Sequence, residues 1–285
     1  MAVNQDSTTV TGSPVVGKQD VGNGVVIHYQ HYQQDSNGLC VVLLHSLAMD
    51  HRFWRLVVPE MARKTSVVCI DVRGHGQSSK PEGPYSIPQF AEDAKKVVQA
   101  LGYDRAIVGG ASMGGCISLQ FAIDYPELTA AAALIDTTSW YGPTAVQDWE
   151  LRAEKACTEG FASMVKFQTT RWFSDAFREA QPKLVQDCVD AFLANDVDAY
   201  AETCRAMGAF NAFDQAAKVT VPTAVIVGEE DYAAPVDMAR HLHESIKGST
   251  LTIIPAARHL TPLETPDVII EALTDLLARV TAEQA

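Results

Sequence analysis

Gly110-Ala111-Ser112-Met113-Gly114, flanked by Gly109 and Gly115, is the stretch that decides the reading of this chain. An apolar run, Ala106-Ile107-Val108-Gly109, leads into it, and residues 113 to 124 continue with helical character until Pro126. Gly-x-Ser-x-Gly between a strand and a helix is the context of a nucleophile elbow. The turn there is so sharp that the serine takes a strained backbone conformation and its hydroxyl stands clear of the sheet edge. Residues two before and two after crowd that turn, so Gly110 and Gly114 answer a steric demand. The Met113 amide N–H is left at a helix start, aimed where negative charge on a carbonyl oxygen would form. No second Gly-x-Ser-x-Gly occurs in the 285 residues.

Working outward, the rhythm is strand then helix. Val15 to Asp20 and Val25 to Gln33 read as two β runs joined by Gly22-Asn23-Gly24, which is hairpin chemistry. Strands are predicted at 40–44, 66–71, 106–109, 130–136, 223–227 and 251–254. Residues 51–63 read as a helix interrupted by Pro59. Ser86 and Gln89 predict a capping box for the next helix, and Gly102 closes it. Its apolar residues, Ile87, Phe90, Ala91, Ala94, Val97, Val98 and Leu101, share one face. Thr265-Pro266 opens the last helix. Alternating strands and helices imply an α/β protein, with a mostly parallel central sheet flanked by helices. Residues 141–215 carry helical segments with almost no strand signal and read as an inserted helical cap. The expected organisation is a loose N-terminal segment at 1–13, a core of 14–140 and 216–285, and the cap at 141–215.

A serine alcohol needs a general base, and the base needs an orienting acid. On such an elbow the partners follow in the order Ser, acid, His. Of eight histidines, only His259 follows the last strand, on the loop Ala256-Ala257-Arg258-His259. Asp231, in Gly228-Glu229-Glu230-Asp231 after a buried strand, is the candidate acid, with Asp136 as its rival. Leu47, in the turn after the strand at 40–44, is the candidate for the second oxyanion N–H. His45 and His75 lie in strand-end turns and read as structural. His241 and His243 diverge on a helix and form no metal pair, so neither a metal nor an organic cofactor is called for.

Composition narrows the partners. Twenty-two Lys and Arg against 35 Asp and Glu leave a net charge of −13. With no basic run, nucleic acid and anionic membranes are poor partners. No stretch approaches the ~18 apolar residues that cross a bilayer. The N-terminus lacks a basic start and apolar block, and the six widely spaced cysteines suggest no disulfide framework, so the expected setting is cytoplasmic and reduced.

The triad motifs, together with the tight turn Asp71-Val72-Arg73-Gly74-His75-Gly76-Gln77-Ser78, resemble the α/β-hydrolase fold superfamily over residues 22 to 280. Within it, four segments resemble the 3-oxoadipate enol-lactonases. They are His45-Ser-Leu-Ala-Met-Asp-His-Arg-Phe-Trp54, Gly83-Pro-Tyr-Ser-Ile87, Arg171-Trp-Phe173 and His259-Leu-Thr-Pro-Leu-Glu264. Ser46 stands where most superfamily members carry Gly. The resemblance implies hydrolysis of a small ester or lactone through a Ser-His-Asp triad. Neighbouring esterases and cofactor-free haloperoxidases share several of these segments, and the alternatives on the same fold are a general carboxylesterase, a cofactor-free perhydrolase or haloperoxidase, a carbon–carbon bond hydrolase and a slow-turnover, receptor-like ligand binder. Specificity is expected from the cap. There Arg152, Lys155, Lys166, Arg171, Arg178, Lys183 and Arg205 are candidate partners for a substrate carboxylate. Arg171, followed by Trp172 and Phe173, is preferred, and Trp140 and Trp149 would wall an apolar pocket.

Overall fold

The computed structural model describes residues 13–34 and 37–282; the loose segment expected at 1–13 falls, except for Ser13, outside them. The chain runs β1 Val15–Asp20, β2 Val26–Tyr32, β3 Leu39–Leu44, α1 Val58–Met61, β4 Ser66–Ile70 and α2 Ile87–Ala100. It continues β5 Arg105–Ala111, α3 Met113–Asp124, β6 Thr129–Ile135, α4 Ala145–Glu159, α5 Val165–Trp172 and α6 Asp175–Ala180. Then come α7 Pro182–Leu193, α8 Val197–Ala209, β7 Thr223–Gly228, α9 Val236–Ser245, β8 Thr250–Ile254, α10 Thr261–Glu264 and α11 Pro266–Ala282.

Eight strands form one sheet in the order β1-β2-β4-β3-β5-β6-β7-β8. β1 pairs antiparallel with β2, and β2 with β4; all other neighbours are parallel. Asn23 (φ +55°) sits between Gly22 and Gly24, both at positive φ, and closes the β1–β2 hairpin. Every residue of β3, β4, β6 and β7 is buried, as strands covered on both faces must be.

Two adjacent glycines show how the sheet is covered. A Cβ on Gly109 would meet Leu273 of α11, whereas one on Gly110 would meet Gly114 and Ser118 of α3. Successive strand residues point to opposite faces, so α3 and α11 sandwich β5. α2 packs on α3, and α1 on α11.

Local capping explains most element boundaries. Ser86 accepts the Gln89 N–H at 3.2 Å, and Gly102 (φ +79°) turns the chain out of α2. The reciprocal half of the expected capping box is not made, because Gln89 Oε1 has no partner. The single helix expected over 51–63 is instead a 3₁₀ turn at His51–Trp54 followed by the one-turn α1. Pro59 lies in the first turn of α1, the one helical site where its missing N–H costs nothing.

The crossover from β4 to β5 passes over β3, so the chain reverses its winding direction between β3 and β5. Such a switch point opens a crevice at the carboxyl ends of the strands. Leu44 and Gly110 are register partners there, which sets the loop after β3 beside Ser112.

Candidate active site

Ser112 has φ +55° and ψ −116°, a conformation that a residue with a Cβ adopts only under constraint. Three contacts hold it. Its N–H donates to Ile135 O at 2.9 Å, and its carbonyl accepts from Thr137 Oγ1 at 2.8 Å and from Cys116 N–H at 3.0 Å. The glycine requirement is visible in distances. A Cβ on Gly110 would lie 2.1 Å from Gly114 O, and one on Gly114 would lie 2.0 Å from Leu44 O.

Three side chains from the ends of three strands meet above this turn. The Ser112 hydroxyl lies 2.8 Å from His259 Nε2, and His259 Nδ1 lies 2.8 Å from Asp231 Oδ2. A carboxylate only accepts, so Nδ1 carries the proton and Nε2 presents its lone pair to the hydroxyl. The other Asp231 oxygen accepts the Ala233 N–H at 2.7 Å and the Ala234 N–H at 2.9 Å, which fixes the carboxylate's orientation. All three residues are buried.

Asp136, the rival acid, is engaged elsewhere. It accepts the Gly228 N–H at 3.2 Å, and the Thr261 N–H and hydroxyl at 3.0 and 2.7 Å. Burial, and after it the Asp231 charge, push the Asp136 carboxyl well above the usual range. It ties β6, β7 and the His259 loop together. His45 is likewise structural: Nδ1 bonds the Ser46 carbonyl at 2.8 Å, and Nε2 accepts the Val72 N–H at 3.0 Å.

A cavity of about 580 Å³ opens over Ser112 and His259, lined in part by Leu47, Trp149, Arg152, Gln168 and Trp172. Neither the Leu47 nor the Met113 N–H has a protein acceptor among the described residues, which leaves both free for a ligand oxygen. Arg171 also lines the cavity, but its Nη2 donates to the Tyr232 carbonyl and its guanidinium lies 5.1 Å from the Phe167 ring centre. The expectation for Trp140 fails. Its N–H donates to Thr138 Oγ1 at 3.1 Å, which donates back to Trp140 O at 2.8 Å. That tight turn packs the ring at 5.8 Å against Phe213, and of the two expected tryptophans only Trp149 lines the cavity.

Sequence reasoning also missed the clasp beside the histidine. Arg258 Nη1 donates to the Thr170 and Phe173 carbonyls at 2.8 and 3.0 Å and to Asp175 at 2.9 Å, reaching α5, its end and α6. Glu264 accepts from the Arg258 and Ser174 N–H groups, both at 3.1 Å, and the Leu260 N–H donates to Trp172 O at 3.0 Å. The signal was present in Arg258-His259 and Glu264, but their partners lie over 80 residues away. Arg258→Ala is expected to lower kcat about 10-fold through a looser His259, and Tm by roughly 5–10 °C, since its bonds to two carbonyls and to Asp175 go at once. Steady-state rates and a thermal melt of the variant check both; an unchanged kcat would separate the clasp from the histidine's position.

Metal-type ligands gather elsewhere. His28, His51 and Asp71 bring three such atoms within 4.8 Å of one another. The two nitrogens stand 2.9 and 2.8 Å from the Asp71 oxygens, which is hydrogen-bonding separation. Two ligands of a tetrahedral zinc stand ~3.4 Å apart.

The family profile described as alpha/beta hydrolase fold matches residues 40–156. The crystallised enol-lactonase from Burkholderia xenovorans LB400 is 31% identical, with a TM-score of 0.85 over 90% of this chain and 98% of that one. The chain belongs to the α/β-hydrolase fold family. Within the family it is also similar to the 3-oxoadipate enol-lactonase 2 of Acinetobacter baylyi, 28% identical over 90% of this chain and 94% of that protein. The 3-oxoadipate enol-lactonase 1 of the same organism is 28% identical over 82% of this chain and 87% of its own. Relatives in this family are hydrolases. Among the described residues, no helix is long and apolar enough to cross a membrane.

Proposed function

We propose that the protein is a serine hydrolase of small carboxylic esters or lactones, with a lactone of the kind its enol-lactonase relatives are named for as the preferred substrate. The observation that carries this reading is the unbroken relay from hydroxyl to imidazole to carboxylate, with 2.8 Å at each step. Ser112, losing its proton to His259 Nε2, attacks the carbonyl carbon. Asp231 stabilises the imidazolium that forms and holds its tautomer. The Leu47 and Met113 amides receive the oxyanion, each contributing on the order of 3 kcal/mol to lowering the barrier. His259 returns the proton to the departing oxygen, then activates water to release the acid from Ser112. In this reading residues 141–215 act as the cap that closes the cavity. A cytoplasmic, reducing location belongs to the same proposal and draws support from six unpaired cysteines, five of them buried.

The test is covalent. A fluorophosphonate probe is expected to add one equivalent to the protein, with the adduct mapping to the peptide that holds Ser112. A stoichiometric adduct on another residue, or none, would remove the proposal.

A further inference from the structure

Three consecutive residues, Ile135, Asp136 and Thr137, close β6 and bond to all three segments that carry the candidate triad. The Ile135 carbonyl accepts the Ser112 N–H at 2.9 Å, and the Thr137 hydroxyl donates to the Ser112 carbonyl at 2.8 Å. Both backbone polar groups of the strained serine are therefore gripped from β6. Asp136, between them, reaches the other two segments. One of its oxygens accepts the Gly228 N–H at 3.2 Å, three residues before Asp231. The other accepts the Thr261 N–H and hydroxyl at 3.0 and 2.7 Å, two residues after His259.

Backbone conformation and packing point the same way. Asp136 is held at φ +48°, a left-handed conformation uncommon for a residue with a Cβ. Its own N–H donates to Ile226 O at 2.8 Å, which fastens the turn to β7. A Cβ on Gly115 would lie 2.5 Å from Thr137 Cβ, so the Thr137 side chain seats directly on the first turn of α3. Asp136, Thr137 and Thr261 are each at most 1% exposed, and none of them lines the cavity. A buried carboxyl group that meets three donors is fixed in orientation. Moving either segment breaks bonds that water cannot replace there.

We infer that Asp136 and Thr137 are positioning residues of the proposed reaction: with the Ile135 carbonyl they form one template that sets the serine elbow, the Asp231 loop and the His259 loop against one another. The effect on rate rests on the hydrolase reading above; the effect on alignment rests on these bonds alone. Misplacing a reacting group by ~1 Å costs about 100-fold in rate. Groups that aim the relay without touching the ligand move kcat and leave KM.

Asp136→Gly deletes the carboxyl group and accepts φ +48° without strain. On p-nitrophenyl acetate it is expected to lower kcat about 100-fold, with KM within about twofold of wild type. Asp136→Asn keeps one acceptor oxygen and tolerates a left-handed backbone, so it should return kcat to within about fivefold. Thr137→Val keeps the shape and loses the hydroxyl; it should cost about 10-fold, and Thr137→Ser should restore most of that. Thr261→Val removes a single bond to Asp136 and serves where the glycine variant does not fold; it should cost about fivefold in kcat with KM unmoved. Crystal structures of the variants read alignment without turnover. The contact between His259 Nε2 and Ser112 Oγ should open beyond hydrogen-bonding range in Asp136→Gly and close again in Asp136→Asn. Wild-type kcat in folded Asp136→Gly, or in Thr261→Val if the former does not fold, overturns the inference. So does a loss expressed equally in KM, or one that Asp136→Asn fails to restore; a role in cohesion alone would show only in the melting temperature. Were p-nitrophenyl acetate left uncleaved by the wild type while the contact opened in Asp136→Gly, the template would stand and the hydrolase reading would fall.

Discussion

Ser112→Ala is expected to lower kcat by about 10⁵- to 10⁶-fold on any ester or lactone the protein cleaves, with the melting temperature little changed. In the proposed mechanism the hydroxyl is the attacking atom, so its loss would leave only the proposed oxyanion donors and binding to accelerate attack by water. His259→Ala should cost about as much, and combining the two should add almost nothing, because each makes the other useless. Asp231→Asn should cost about 10⁴-fold. An amide at that position offers its N–H or forces the other imidazole tautomer, which turns a protonated nitrogen toward Ser112. Steady-state rates with a lactone or a p-nitrophenyl ester measure all four. A Ser112→Ala protein within 10-fold of wild type would end the serine mechanism, whatever the distances.

Acid lability is the second large effect, and its source lies behind the site. Burial lowers the pKa of His28 and His45, and burial followed by the His45 charge lowers His75 to about 3. His45 and His75 face each other with ring centres 5.2 Å apart. Unfolded, each histidine titrates near 6.5. Between that value and the lowered one, the unfolded chain binds the more protons, so stability falls as pH drops below about 6.5. For His75 alone the full loss is on the order of 5 kcal/mol by pH 3. Asp71 works in the same direction at lower pH. Burial opposes its ionisation, but the His51 hydrogen bond and the nearby imidazoles win, so its carboxyl titrates well below the usual range and its contribution goes last. His51 runs the other way. Burial opposes its charge, but Asp71 raises its pKa, so its contribution is complete below 6.5 and is lost as pH rises through the raised value. Four lowered histidines, His31 among them through burial, outweigh one raised one. Urea midpoints are expected to fall steeply from pH 6.5 to 4, and His75→Gln should flatten that slope. A flat profile would mean these imidazoles are solvated in the folded protein.

The fold was legible because its markers are local. Glycines at 110 and 114 label the elbow, continuous apolar runs label buried parallel strands, and Ser86 and Gly102 bracket a helix. The candidate triad residues were legible by order along the chain, since only His259 follows the final strand. Asp136 and Asp231 both end strands, and text alone separates them poorly; what divides them is which one the Thr261 and Gly228 amides already occupy. The pocket wall was the least legible part. Trp140 and Trp149 look alike in sequence, and a two-residue turn at Thr138 decides which ring faces the cavity. Arg171 drew notice for its aromatic neighbours, whereas its guanidinium is turned to the Tyr232 carbonyl. Pairing between elements far apart in sequence sets that, and no periodicity encodes it.

The clasp at Arg258 has a consequence for timing. The proposed general base is the very next residue, so the roof over the cavity and the imidazole beneath it share one fastening. Lifting the roof at that edge tugs on the loop that aims the base, which makes an open entrance and an aligned proton acceptor competing states. Under the proposed function, admission of substrate and chemistry would then fall in successive phases of one cycle.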